Sequence, residues 1–328
     1  MKKVLVTGAS GFIGSFIVEE GLKRGYEIHA TIRKTSNLQY LQDPRIKLKE
    51  IDFDNEDGLR QMLSSEHYDY IIHNAGITKA KNPEAYFKVN SAYTRKLIKI
   101  LHEEGVLPRK FVYMSSMASY GPADFQAKGI VDHESTPHPV TTYGESKLQA
   151  EQFIQTFDLD YVILRPTAVF GPRETDFITL YKSIKKGIEM YIGSADQQLS
   201  FIYVKDLVDL VYKSMSSDVT KVSYFVSDGK VYPSAEYNSL LKKALDKKTI
   251  KFVLPLGIVK SIATLAELSS KISGNYPIIN HDKLGELTAK NWRLDTSLQE
   301  KQLGFKAKYS LEEAIQETIQ WNIANKKL

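Results

Sequence analysis

Three glycines spaced three apart stand between an apolar strand and an amphipathic helix at the start of this chain. Lys3–Thr7 is a short apolar run of the kind a fully buried parallel strand shows, and Gly8-Ala9-Ser10-Gly11-Phe12-Ile13-Gly14 follows at once. Phe12, Ile13, Phe16, Ile17 and Leu22 continue at helical spacing up to Gly25, and Glu27–Ile32 reads as a second strand. Strand, glycine turn, helix and strand in about thirty residues make a βαβ unit. In such a unit one glycine permits the tight turn, one lets a pyrophosphate approach the backbone, and one lets helix and strand pack closely. The free N–H groups and positive dipole end of the helix then face the anion.

The alternation continues. Ile46–Ile51, Tyr70–His73, Lys110–Ser115 and Asp160–Leu164 read as strands. Asn55–Ser64, Tyr86–Glu104 and Thr142–Phe157 read as helices. Strands alternating with helices predict an α/β fold, a Rossmann-type doubly wound parallel sheet covered on both faces, with ligands at the carboxyl ends of its strands. Polar signals fall at those ends: Asp52, Asn74-Ala75-Gly76, Ser115-Ser116 and Arg165-Pro166-Thr167. The second strand ends Thr31-Ile32-Arg33-Lys34, where an acid would hydrogen-bond an adenosine ribose. A guanidinium there pairs with a 2′-phosphate, so the residues favour NADP over NAD.

Tyr143-Gly144-Glu145-Ser146-Lys147 opens the helix after Thr142, and residues four apart share a helical face. A tyrosine is a poor base at neutral pH, and a nearby cation favours its phenolate. Lys147 is therefore expected to lower the pKa of Tyr143, which would exchange a proton with an alcohol or alkoxide. Ser115 and Ser116 are placed to orient the same oxygen.

Taken together these stretches resemble the extended short-chain dehydrogenase/reductase superfamily, the NAD-dependent epimerases, dehydratases and reductases. The resemblance rests on Thr7–Gly14, Asp52-Phe53, His73–Gly76, Asn90, Ser115–Gly121, Tyr143-x-x-x-Lys147, Leu164-Arg165-Pro166 and Phe170–Arg173. It implies Ser116, Tyr143 and Lys147 as catalytic residues. It also implies a nicotinamide cofactor held by Gly8, Ser10, Gly11, Phe12, Ile13, Gly14, Arg33, Asn74, Gly76, Asn90, Ser115 and Pro166. Asp52 and Phe53 would contact adenine, Ala75 would lie along the nicotinamide, and Lys147 would also touch its ribose. Residues 1–170 would form the cofactor domain. Residues 171–328 would form mainly a smaller substrate lobe, interleaved with returning sheet strands. A homodimer paired through the helices near Tyr86–Glu104 and Thr142–Phe157 is common in such proteins.

Departures narrow the reaction. Related 4,6-dehydratases carry an Asp-Glu pair where this chain has Met117-Ala118, which cannot transfer protons. UDP-sugar epimerases commonly carry a diphosphate-gripping arginine where this chain has Leu199, which leaves Arg173 as a substitute. The Thr-x-Arg strand end and the stretch Asp282–Leu287 running into Asn291-Trp292 look like dihydroflavonol-reductase-like and sterol-dehydrogenase-like members. The first expectation is thus an NADP-preferring oxidoreductase acting on a carbonyl or hydroxyl of a small molecule, with Thr78, Ser116 and Arg173 toward the substrate. The alternative is a nucleotide-sugar epimerase with tightly bound NAD. The third reading is a catalytically inactive nucleotide-binding protein.

Composition sets outer bounds. The chain has 328 residues, 42% hydrophobic and 25% charged, as a globular protein should. Its 44 Lys+Arg against 39 Asp+Glu are spread out, without a nucleic-acid-binding block. It has no cysteine, and seven scattered histidines lack ligand spacing, so no metal site is expected. No window reaches the roughly 18 apolar residues of a spanning helix, and the start lacks a signal peptide, so a cytoplasmic location is expected. Phe252–Leu268 comes nearest and reads as a buried or oligomer-forming helix, with a membrane-surface role as the lesser reading. Asp206 and Asp209 read as helix-start capping acids, and Leu311–Asn325 as a final helix packing on the substrate lobe.

Overall fold

A computed structural model describes residues 1–273 and 281–328, with the side chains of 267–273 and 281 excluded. The first half runs β1 (Lys3–Thr7), α1 (Phe12–Lys23), β2 (Glu27–Ile32), β3 (Lys47–Glu50), α2 (Glu56–Ser64), β4 (Tyr70–His73), α3 (Pro83–Tyr86), a π-helical stretch Phe87–Ala92, α4 (Tyr93–Glu103), β5 (Lys110–Met114), α5 (Thr142–Gln155) and β6 (Tyr161–Pro166). The second half runs β7 (Ala168–Phe170), α6 (Ile178–Lys185), β8 (Ile188–Ile192), β9 (Gln198–Leu199), β10 (Phe201–Tyr203), α7 (Val204–Ser216), β11 (Val222–Val226), β12 (Tyr232–Pro233), α8 (Ser234–Leu245) and β13 (Ile250–Leu254). It ends in α9 (Leu256–Ser273), α10 (His281–Thr288), α11 (Ser297–Leu303) and α12 (Leu311–Ala324).

Seven strands form one sheet in the order β11-β6-β5-β4-β1-β2-β3, and every pairing is parallel. The doubly wound expectation therefore holds. The order reverses between β1 and β4, and that switch opens a crevice at the carboxyl ends of the strands. The central strands β1, β4, β5 and β6 are mostly apolar and buried because helices cover both faces, while the edge strand β3 is charged and exposed. One core cluster joins Val4, Ile17, Val162, Tyr203, Leu207 and Ile315, and a second joins Leu5, Ile71, Leu97, Phe111 and Ile154 across the sheet.

Three sequence expectations change. The helix anticipated over Tyr86–Glu104 is a short α-turn, a π-helical stretch and then α4. The widened turn directs Asn90 and Ser91 onto α5: Asn90 Nδ2 donates to Ser146 Oγ at 3.0 Å, and Ser91 Oγ donates to Gln149 at 2.6 Å. Asp206 does not cap α7. It accepts the backbone N–H groups of Lys308 (2.9 Å) and Tyr309 (3.3 Å), while Asp209 pairs with Arg24 and Lys308. Phe252–Leu268 begins as strand β13, because Pro255 breaks the run before α9 starts; positions 267 and 268 lie outside the described side chains. Much of it is exposed, including Phe252, Val253, Ile258 and Leu265. α12 buries Leu311, Ala314, Ile315, Thr318, Ile319 and Asn322, the face read from the sequence, and a Ser310–Glu313 capping box starts it. Among the described residues, no helix is long and apolar enough to cross a membrane.

Candidate active site

The turn after β1 is built to let something approach backbone. Gly8 has φ +67°, and a Cβ there would lie 2.8 Å from the Ala75 nitrogen and the Asn74 oxygen. A Cβ on Gly14 would lie 2.0 Å from the Gly8 carbonyl oxygen, so this glycine sets the close packing of α1 on the turn. Gly11 starts α1 without a side-chain cap, and no acid occupies the first turn. The amides of that turn, from Phe12 and Ile13 onward, have no intrahelical acceptors. A cradle of this form fits the pyrophosphate of a dinucleotide. Ser10, Phe12 and Ile13 complete the rim and are half-buried.

The turn after β4 sits against it. The Ala75 N–H donates to Thr7 Oγ1 at 3.0 Å, and Asn74 Nδ2 donates to the Gly8 carbonyl at 3.4 Å. Thr7 Oγ1 lies 2.7 Å from His73 Nδ1 and donates to it, because Thr94 gives its own proton to the Asn90 carbonyl and so takes the ring's N–H at Nε2. Nε2–H of His73 then donates to Thr94 Oγ1 at 2.9 Å, and Thr94 donates on to the Asn90 carbonyl at 2.8 Å. Burial foremost, with Lys147 adding repulsion, pushes His73 down to about 3, so this relay runs through a neutral ring. It fixes the Asn74–Gly76 turn to the π-helical stretch. In the chain itself only a histidine ending an apolar strand points to it.

Asn90, expected to touch cofactor, sets its amide between the β4 turn and α5. Oδ1 accepts from Ile77 N–H at 2.8 Å, and Nδ2 donates to the Ile77 carbonyl and Ser146 Oγ, both at 3.0 Å. It is fully buried and acts as a clamp between the β4 turn and α5.

α5 starts at an N-cap, Thr141, whose hydroxyl accepts the Gly144 N–H at 3.1 Å. From α10, Asp282 accepts both the N–H and the hydroxyl of Thr142 at 2.7 and 2.8 Å, and Glu286 accepts from Thr141 at 3.2 Å. These acids lie in the stretch singled out by resemblance, yet their role needed a contact across 140 residues. Tyr143 follows, half-buried, with Ser116 near enough to its hydroxyl to favour the phenolate. Ser116 stands in extended backbone just past β5, and its Oγ also accepts the Ala118 N–H at 3.1 Å. Ser116 and Tyr143 are thus brought together as expected.

Burial pushes the Tyr143 phenol well above its ordinary value, opposed by Ser116. Lys147 Nζ donates to the Met114 carbonyl at 2.6 Å and to Tyr113 Oη at 3.2 Å. Burial holds that amine down to about 7, against the attraction of Glu151. A Cβ on Gly76 would stand 3.5 Å from Nζ, so the amine lies at the edge of the Asn74–Gly76 turn.

Ser115, expected at the cofactor, faces away. Its hydroxyl donates to Glu151, as does Ser119 Oγ at 2.9 Å. Arg165 donates to the same carboxylate through Nε at 2.9 Å and Nη2 at 2.6 Å. The guanidinium lies between the Tyr120 and Phe225 rings, at 4.3 and 5.0 Å from their centroids. Both charged groups are almost fully buried. Glu151 lies four residues past Lys147 and eight past Tyr143, so helical periodicity could have found it.

Arg173, expected at the substrate, is engaged by α1. It donates to Ser15 Oγ at 2.9 Å, pairs with Glu19 at 2.6 Å, and lies between Phe16 and Tyr40. Its backbone φ of +76° turns it that way. Thr78 lies in the exposed loop after β4, and its neighbour Lys79 reaches Asp176 at 2.5 Å. Arg33 is exposed at the end of β2, beside a Lys34–Glu50 pair at 3.8 Å. Asp52 is exposed after β3 and accepts from Asp54 N–H at 2.9 Å; Phe53 stacks on Tyr93 at 4.9 Å between ring centroids. Pro166 ends β6, paired with Val226.

The model of the NAD dependent epimerase/dehydratase family matches residues 4–226. A UDP-glucose 4-epimerase of Vibrio cholerae is 29% identical over 97% of this chain and 95% of its own length. A decarboxylating sterol-4-alpha-carboxylate 3-dehydrogenase of Candida albicans is 24% identical over 98% and 97%. Among solved structures, the Bordetella bronchiseptica enzyme WbmG, in complex with NAD and UDP, superposes with a TM-score of 0.79. It is 21% identical over 98% of this chain and 95% of that one. With a glycine turn at the sheet's switch point and a Ser/Tyr pair beside it, the chain belongs to the NAD-dependent epimerase/dehydratase family, enzymes of the extended short-chain dehydrogenase/reductase type.

Proposed function

We propose that this enzyme is a dehydrogenase or reductase that exchanges NADP and acts at a carbinol or carbonyl carbon of a small molecule. The carrying observation is the Ser116–Tyr143 pair set at the end of α5 that adjoins the turns at Gly8 and Asn74–Gly76. A nicotinamide dinucleotide bound along those turns supplies the hydride donor or acceptor. Ser116 orients the substrate oxygen. Tyr143, kept protonated at neutral pH by burial, gives its proton to that oxygen during reduction and recovers it during oxidation. Lys147, its amine on the Met114 carbonyl, borders the site at the edge of the Asn74–Gly76 turn. Residues from about 171 onward would supply most of the substrate lobe.

The two positions from which a nucleotide diphosphate would be gripped do not serve that purpose well. Leu199 packs against the core, and Arg173 is held by Ser15 and Glu19. Epimerisation of a nucleotide sugar is the second reading, favoured by the similarity to the Vibrio cholerae protein over nearly its whole length. Met117 and Ala118 leave no proton donor beside Ser116 for dehydration.

Arg33, exposed and forming no ion pair among the described residues, supports the 2′-phosphate reading. The purified protein should release little nucleotide on denaturation and bind added NADPH more tightly than NADH. Arg33→Asp should cut NADPH affinity by roughly 10- to 100-fold, as loss of a charge-assisted pair does. One equivalent of retained NAD, unaffected by Arg33→Asp, would overturn the proposal in favour of the epimerase.

A further inference from the structure

The β8–β13 ribbon turns its polarity inside out. The two strands pair in parallel with Ile250 opposite Ile188 and Phe252 opposite Met190. Strand side chains alternate faces, so these four share one side, and all four are exposed, Ile250 at 68%. The opposite side carries Glu189 and Tyr191, both buried, with Lys251 and Val253 opposite them and exposed. Glu189 accepts from Lys242 at 2.9 Å and Thr249 at 2.7 Å. An exposed ribbon normally shows the reverse arrangement.

α9 extends the same surface. Val259 and Ala263 are buried on Ile192, Leu254 and Leu284. Ile258, Ile262 and Leu265 form a second stripe, and it is exposed. Lysines border this apolar surface. Lys185-Lys186 precede β8 and Lys247-Lys248 precede β13, and the two pairs are held together by the Ile250 N–H to Gly187 carbonyl bond at 2.8 Å. Lys260 lies on α9 itself. Among the described residues none of these five forms an ion pair, although Lys242 and Lys243 nearby both do. Asp246 is the acid closest in sequence to these lysines.

We propose that this face docks on an anionic lipid bilayer surface, with the Ile, Met and Phe side chains entering the acyl boundary and the lysines meeting the headgroups. Exposed apolar residues bordered by unpaired lysines are what such a surface binds. A second copy is a poor occupant, because a two-fold contact would set one lysine cluster against another. The proposal is independent of the reaction assigned above.

The test is co-sedimentation of the full chain with phosphatidylcholine vesicles and with 7:3 phosphatidylcholine–phosphatidylglycerol vesicles. The protein is expected to sediment with the anionic vesicles only, and to be released by raised salt. Lys247→Ala with Lys248→Ala should lower the partition coefficient roughly 30-fold. Phe252→Gln with Ile262→Gln should lower it at least about tenfold. Both variants replace exposed side chains and should keep dinucleotide binding. Failure to sediment, equal sedimentation with both vesicles, variants that sediment like the parent, or a dimer dissolved by Phe252→Gln would each overturn the proposal.

Discussion

Replacing Tyr143 with phenylalanine should lower turnover by roughly 100- to 10,000-fold while dinucleotide affinity stays within a few-fold of the parent. The change removes one oxygen from a ring held by packing, with Tyr86 edge-on at 6.3 Å, so the backbone of α5 has no reason to move. What disappears is the proton relay at the substrate oxygen. Because burial raises the phenol's pKa, its protonated form dominates at neutral pH, which suits reduction. Oxidation needs the phenolate, so the parent's oxidation rate should rise with pH across the neutral and mildly alkaline range. In the variant that rise should vanish. Steady-state kinetics in both directions, beside a binding titration, read these outcomes. Near-parental turnover would remove Tyr143 from the chemistry.

A second large effect should fall on stability. Glu151 carries four hydrogen bonds in a buried site, two of them from Arg165. Glu151→Ala leaves the guanidinium charged, desolvated and unpaired, which costs about 3–5 kcal/mol. Replacing both partners, Glu151→Leu with Arg165→Met, should recover most of that loss, since no charge is then stranded. Urea unfolding of the single and double variants measures the difference. Activity should separate from stability, because Ser115 and Ser119 lose their acceptor in both variants and the β5 end that carries Ser116 is freed. A Glu151→Ala protein within about 1 kcal/mol of the parent would contradict this account of the network.

The parallel sheet could be read from the chain because its strands are short apolar runs set between glycine turns and periodic helices. The π-helical stretch could not, since Phe87–Ala92 keeps enough helical spacing to pass as part of α4. The glycine turn, Ser116, Tyr143 and Lys147 could be named because their chemistry depends on residue type at fixed local spacing. Their surroundings depend on distant partners. Ser115 and Ser116 are neighbours in sequence, yet strand alternation sends one to Glu151 and the other to Tyr143. Arg173 carries the right charge, but its left-handed backbone turns it to α1. Lys147 sits one turn from Tyr143, yet the Met114 carbonyl holds its amine. The exposed face of β13 and α9 cannot be told from a buried one in the sequence, because hydrophobicity predicts burial without naming the neighbour.

Hydrogen exchange with and without saturating NADPH tests the central claim, that a dinucleotide lies along the β1 and β4 turns facing Tyr143. The account predicts slowed exchange in the segments 8–14, 74–77 and 115–118 and at the start of α5, with residues 250–266 unchanged. Slowed exchange elsewhere, with 8–14 and 74–77 unaltered, would contradict it.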